Sequence, residues 1–75
     1  MQNEERIEFA LQGRPYIEMI RLLKAVGVVR SGATAKLAVE AGEVLRNGAP
    51  ESRKRAKIRP GETISYGRWS IIVTP

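Results

Sequence analysis

The chain has no cysteine, no histidine and no aspartate. Without cysteine there is no disulfide framework and no thiolate metal site. Without histidine as well, no zinc site of Cys and His ligands can form, and neither a Ser-His-Asp nor a Cys-His nucleophile can be assembled. All eight acidic residues are glutamates. They are scattered on faces that read as solvated, so no converging pair suggests a two-carboxylate mechanism. Nor does a Gly-Lys-Ser/Thr phosphate loop follow any of the glycines. The expectation is a protein that is not an enzyme, with no cofactor, no metal and no small-molecule substrate.

Aromatic residues are also scarce. Phe9, Tyr16 and Trp69 fall within apolar patterns and are expected in the core, while Tyr66 can be read either way. That leaves no interleaved aromatic platform of the kind that stacks single-stranded nucleic acid. Long apolar runs are missing too. None approaches the ~20 residues a membrane span requires. Neither helical segment is both strongly basic and strongly amphipathic, which argues against a membrane-surface role. The first residues, Met1 to Arg6, are polar and acidic, unlike a signal peptide, so a cytoplasmic location is expected.

What is present is positive charge. Thirteen Lys and Arg against eight Glu give a net charge of +5 over 75 residues. That length implies a single domain spanning residues 1–75. A basic excess in so small a domain points to a polyanionic partner.

Along the chain, residues 1–5 are polar and expected to be loose. Residues 6–11 alternate, with Ile7, Phe9 and Leu11 on one face of a strand. Gly13 and Pro15 break it. Residues 16–26 carry apolar side chains at helical spacing, and Gly27 reads as the helix stop. Ser31 is a good N-cap for a second helix over residues 32–41. Its alanines permit close packing against the first helix, Leu37 is its one large anchor, and Gly42 closes it. Asn47-Gly48 predicts a type I′ hairpin turn within residues 43–51, with Pro50 at an edge. Pro60-Gly61 suits a type II turn. Residues 63–66 and 69–73 read as strands joined by a type II′ turn at Gly67. The order predicts an α+β domain: two packed helices against a small, mostly antiparallel sheet of three to five short strands.

The densest charge lies at Arg53, Lys54, Arg55 and Lys57, with Arg59 just beyond. This run sits between turns, which predicts an ordered surface. Arg46 precedes the Asn-Gly turn and could project beside it. Lys36 lies on the second helix. The start of that helix, at Ser31 and Gly32, offers free N–H groups, with Arg30 just before it. Charge without an aromatic platform favours recognition of structured RNA through its phosphates and 2′-hydroxyls.

The stretch "IEMIRLLKAVGVVRSGATAKLAVEAGEVLRNG", followed by "KIRPGETISY", resembles the ribosomal-protein S-four-type RNA-binding domain, also called the alpha-L motif. The matching pieces are Leu-Leu-Lys-x-x-Gly, the serine that opens the second helix, Ala35 and Leu37, Gly42-x-Val44, Asn47-Gly48 and Pro60-Gly61-Glu62-x-Ile64. The motif core spans residues 14–66. The length and the basic run are similar to the small standalone bacterial members, the YbcJ-like proteins. The resemblance implies an RNA-binding face made of Lys24, Arg30, Ser31, Thr34, Lys36, Arg53, Lys54, Arg55 and Lys57. Arg46 joins this set as a candidate from its position by the turn. One departure stands out. The family alternates Val-x-Val before the Asn-Gly turn, whereas Val44-Leu45-Arg46 puts a cation where an apolar residue is expected. Either a bulge shifts the strand or Arg46 points to the surface. The expected partner is structured RNA, with ribosomal RNA one such target, and the expected state is a monomer. The alternative is a protein-interaction module that docks on an acidic partner.

Overall fold

The computed structural model describes residues 4–75. Residues 1–3, part of the segment expected to be loose, lie outside the described residues. The remainder of that segment is not all loose, because Glu5 already opens the first strand.

The elements run β1 (Glu5–Ala10), β2 (Ile17–Glu18), α1 (Met19–Ala25), α2 (Gly32–Glu40), β3 (Val44–Arg46), β4 (Ala49–Pro50), β5 (Lys57–Ile58), β6 (Thr63–Tyr66) and β7 (Trp69–Thr74). Five strands form one sheet in the order β1-β7-β6-β3-β4, and β2 pairs with β5 in a separate two-stranded ribbon. The large sheet is antiparallel except at β1–β7, which is parallel, with Ile7 opposite Ile71 and Phe9 opposite Val73. The expected α+β architecture is present, with the parallel edge and the ribbon as additions.

Both helices end in the same way. After α1, Gly27 donates to the Lys24 carbonyl and Val28 to that of Leu23. After α2, Gly42 donates to Val39 and Glu43 to Ala38. These paired bonds are Schellman closures, and they need a left-handed residue after the cap. Gly27 and Gly42 supply it, with φ of 80° and 77°. At the other end of α2, the Ser31 hydroxyl accepts the Thr34 N–H at 3.2 Å, as the N-cap position predicts. Asn47 and Gly48 both have positive φ, which fits the expected type I′ turn.

Two expectations need correction. The first helix starts at Met19 and not at residue 16, because Ile17 and Glu18 are drawn into strand pairing with Ile58 and Lys57. Tertiary pairing overrides the helical periodicity there. The second concerns Leu37, which is 67% exposed and anchors nothing. The buried stripe of α2 is Ala35, Ala38 and Val39, at the i, i+3, i+4 spacing of one helical face. Leu37 lies two residues from Ala35, about 200° round the helix, and so points away.

The core lies between the helices and the sheet. Leu22 and Leu23 of α1, Val39 of α2, and Val44, Ile64 and Ile71 of the sheet are fully buried, as is Ile58 of the ribbon. Among the described residues no helix is long and apolar enough to cross a membrane. The edge strands are protected. β1 exposes Glu5, Arg6 and Glu8, and β4 carries Pro50.

Truncating Leu23 to Ala should cost about 2–5 kcal/mol, because it empties a fully buried site. Leu37→Ala should change stability by less than about 0.5 kcal/mol, since the side chain is on the surface. Urea unfolding followed by circular dichroism measures both. Similar losses in the two variants would contradict the assigned faces of α2.

Candidate nucleic-acid interface

The basic run is built into the fold through its backbone. No side chain caps α1 at Glu18. Instead the Met19 N–H donates to the Ala56 carbonyl at 2.9 Å, and the Ile20 N–H donates to the Lys54 carbonyl at 3.1 Å. The unpaired amides of the first helical turn are thus met by the loop. A turn closes the loop, with the Ala56 N–H donating to the Arg53 carbonyl. Ala56 and Ile58 are buried, while Arg55, Lys57 and Arg59 are exposed. That alternation is the period of a strand. It was visible in the sequence as the signal for the β2–β5 ribbon, which the reading of a plain cationic run missed.

Arg46 is mostly buried, although it reaches the edge of the loop groove. It sits opposite Ile64 in an uninterrupted β3–β6 register, so no bulge is present, and its side chain lies on the core side of the sheet edge. Its Nε and Nη2 donate to the two carboxylate oxygens of Glu62, at 2.7 and 3.0 Å. Its Nη1 donates to Glu51 at 3.2 Å and its Nη2 to the Lys57 carbonyl at 2.8 Å. A cation replaces the expected valine because two glutamates and a carbonyl converge on it. Every side-chain nitrogen of Arg46 is used within the fold, so it is not the free cation expected beside the turn.

The two glutamates bind the neighbouring segments together. Glu62 also accepts the Arg59 N–H at 2.7 Å and the Asn47 Nδ2–H at 3.3 Å. Glu51 accepts the Arg53 backbone N–H at 3.1 Å, and the Nε and Nη2 of the same arginine at 3.0 Å each. Hydrogen bonding from Arg53, with further bonds from the Arg53 backbone and Arg46, outweighs desolvation and pulls the Glu51 carboxyl down to about 2. Glu62 is also lowered, chiefly by its hydrogen bond from Arg46. Arg46 is raised in turn by Glu62.

Outside this clamp lies an open groove of about 440 Å³. It is lined by Arg46, Arg53, Arg55, Ala56, Lys57 and Arg59, with no carboxylate among them. Arg53 leans on Glu51 but its side chain is still 72% exposed. Arg55 and Arg59 make no side-chain hydrogen bond or ion pair among the described residues, and the Lys57 ammonium sits 5.1 Å from the Tyr16 ring centroid. Lys54 is half-buried. Arg59 was left out of the expected face although it completes the groove.

A second group forms at the start of α2. The Lys24 stem passes close to Gly32, where a Cβ would lie 3.8 Å from its Cδ. Ser31 and Thr34 face each other there, with their hydroxyl oxygens 3.2 Å apart. Arg30 and Lys36 are exposed, and their side chains make no hydrogen bond or ion pair among the described residues. The fold therefore gathers the expected residues into a loop cluster and a helix-start cluster, with Arg30 and Lys36 standing free.

Phe9 packs against the core as expected, whereas Tyr16 and Trp69 are not part of it. Phe9, Tyr16 and Trp69 are all half-buried, and each has a cation over its ring: Arg14, Lys57 and Arg68 respectively. Tyr66 stacks on Trp69 with ring centroids 6.2 Å apart. Among the described residues no cluster of acidic side chains suited to a metal ion occurs.

A helix pair, a cationic loop and a hairpin arranged in this way make up an alpha-L motif, and the chain belongs to the S4 domain family, whose model matches residues 9–74. The protein YbcJ of Escherichia coli (strain K12) is 45% identical over 65 residues, covering 87% of this chain and 93% of that protein. A Shigella flexneri protein, also called YbcJ, gives the same figures. The solution structure of Escherichia coli YbcJ, described as revealing an alpha-L motif involved in RNA-binding, matches with a TM-score of 0.70 at 40% identity. The match covers 100% of this chain and 92% of that one.

Folding lowers the affinity of Glu51 and Glu62 for protons, so the clamp stabilises the fold fully above the ordinary carboxylate range. That contribution is lost as pH falls from about 4.5 towards 2. Thermal unfolding between pH 7 and pH 2 should show a declining Tm below about pH 5. The decline should shrink in Glu51→Gln, which would start from a lower Tm at pH 7. Replacing Arg46 with Met leaves Glu62 with only the Arg59 and Asn47 N–H groups and Glu51 with only Arg53, and should cost about 1–3 kcal/mol in chemical unfolding at pH 7. A neutral effect would show that Arg46 does not hold the loop.

Proposed function

We propose that this protein is a non-catalytic binder of structured RNA, ribosomal RNA being a target of that kind, and that it works as a single-domain monomer in the cytoplasm. The observation that supports this most directly is the fixed loop. Its carbonyls are spent on the start of α1, so Arg55, Lys57 and Arg59 must face outward around a groove free of carboxylates. A rigid cationic groove loses little conformational entropy when phosphates settle in it. Lys24, beside the start of α2 where Ser31 and Thr34 face each other, adds a second point of phosphate contact, and the exposed Arg30 and Lys36 add further positive charge. Family membership and the RNA-binding role ascribed to the alpha-L motif of YbcJ support the same reading.

Arg53 and Lys54 contribute less than their exposed neighbours in this account. Arg53 is partly neutralised by Glu51 and Lys54 is half-buried. Arg46 acts at one remove, by holding the Lys57 carbonyl and both glutamates.

Affinity for a ribosomal RNA hairpin should fall with salt. If at least three phosphates are neutralised, the slope of log affinity against log salt is about −2 to −3 or steeper. The double variant Arg55→Glu with Lys57→Glu should weaken binding by at least about tenfold at low salt and leave the circular dichroism spectrum unchanged. Binding that ignored both the salt and the reversal would defeat the proposal. If an acidic protein were the true partner, it would remain bound after nuclease treatment of the complex.

A further inference from the structure

A second groove runs along α1 on residues that none of the RNA-binding assignments above use, apart from Lys24. It consists of two shallow depressions of about 370 and 510 Å³ that share Arg14, Ile17 and Arg21. Phe9, Lys24 and Tyr16 complete its walls. Its volume is that of a small-ligand cleft.

Arg14 is held at its centre. The turn that carries it has positive φ at both Gln12 and Gly13, and the Arg14 N–H closes that turn on the Leu11 carbonyl at 3.2 Å. The Arg14 Nε donates to the same carbonyl at 3.0 Å. Its guanidinium carbon then lies 5.7 Å from the Phe9 ring centroid. The guanidinium is therefore fixed, while its two Nη groups make no hydrogen bond or ion pair among the described residues. Arg46 is the contrast: the same side chain, with each nitrogen bonded to Glu51, Glu62 or the Lys57 carbonyl. An arginine anchored only through its Nε over an aromatic ring presents a flat, charged surface, and RNA bases stack on such guanidinium planes. Arg21 and Lys24 stand three residues apart on α1, one turn along the same side, where they can meet a phosphate. The groove contains one carboxylate, Glu18, and it borders only the smaller depression. Ile17 is buried and supplies an apolar floor.

We propose that this groove binds one unpaired nucleotide, with the base stacked on Arg14 and the phosphate held by Arg21 and Lys24. The site is separate from the loop groove, but the two adjoin. Tyr16 lines this one, and the ammonium of Lys57, which lines the other, lies over its ring. A strand that leaves a structured element on the loop could thus place its first unpaired base beside α1. A free mononucleotide carries the same chemistry, and the test separates the two sources.

The test uses the whole chain, labelled with ¹⁵N, titrated with pentaadenylate RNA, with AMP and with ribose 5-phosphate. The expected result is that pentaadenylate and AMP shift the amides around Gln12, Gly13, Arg14 and Arg21, and that ribose 5-phosphate does so at least about fivefold more weakly. Arg14→Lys keeps the charge and loses the plane, so it should weaken the AMP response at least about fivefold while leaving Tm unchanged. Tighter binding of pentaadenylate than of AMP assigns the groove to RNA, and equal binding assigns it to free nucleotides. Shifts confined to residues 53–59, equal shifts with ribose 5-phosphate, or an unaffected Arg14→Lys variant would overturn the site. The Arg55→Glu and Arg59→Glu double variant, at residues that line only the loop groove, keeps the two claims apart. It should lose the RNA hairpin and retain the AMP response, so failure of the groove leaves the loop reading standing.

Discussion

Two backbone amides, those of Met19 and Ile20, set the terms for the rest of the molecule. A helix of seven residues cannot satisfy its own first turn, and Glu18 provides no side-chain cap. The carbonyls of Ala56 and Lys54 fill that need. Each unmet amide at such a site costs on the order of 1–3 kcal/mol, a large share of the stability of a small domain. The basic loop is therefore a structural part of the first helix. Because its carbonyls turn inward, its cations are left on the outside. The same bonds that complete the fold shape the surface.

Charge had to be arranged along with backbone. A chain with a net charge of +5 that concentrates arginine and lysine in one loop works against its own repulsion. Glu51 and Glu62 relieve this from behind. Together with Arg46 they join the β3–β4 hairpin, the loop and the turn before β6. Neither glutamate lines the loop groove, so the attraction that steadies the loop does not cancel the field in front of it.

What could be read from the sequence was mostly local. Ser31 as a cap, Gly27 and Gly42 as stops, Asn47-Gly48 as a type I′ turn and the alternation of β1 all depend on neighbours within a few residues, and all are found. What escaped depends on distant partners. Residues 16–18 have helical spacing, yet Ile17 and Glu18 are claimed by Ile58 and Lys57, some forty residues on. Arg46 looked like a free cation because its glutamates are five and sixteen residues away. Leu37 was a different kind of error. Its size drew the inference, while the position of Ala35, Ala38 and Val39 on the helix decided the outcome. The expected residues of the interface are legible as a set, but their division into held and free cations follows from the folded contacts.

The parallel pairing of β1 with β7 has a consequence for assembly. Those strands join Glu5 to Trp69 and Ala10 to Thr74, sixty-four residues apart in each case. Contacts of such high order form late, because the intervening chain must first lose its freedom. The helices and the loop lie between these strands in the chain, so the pairing encloses both in one long loop. β7 also supplies Ile71 and Val73 to the core beneath the helices, so the surface that carries the cations and the far edge of the sheet are joined in one cooperative unit.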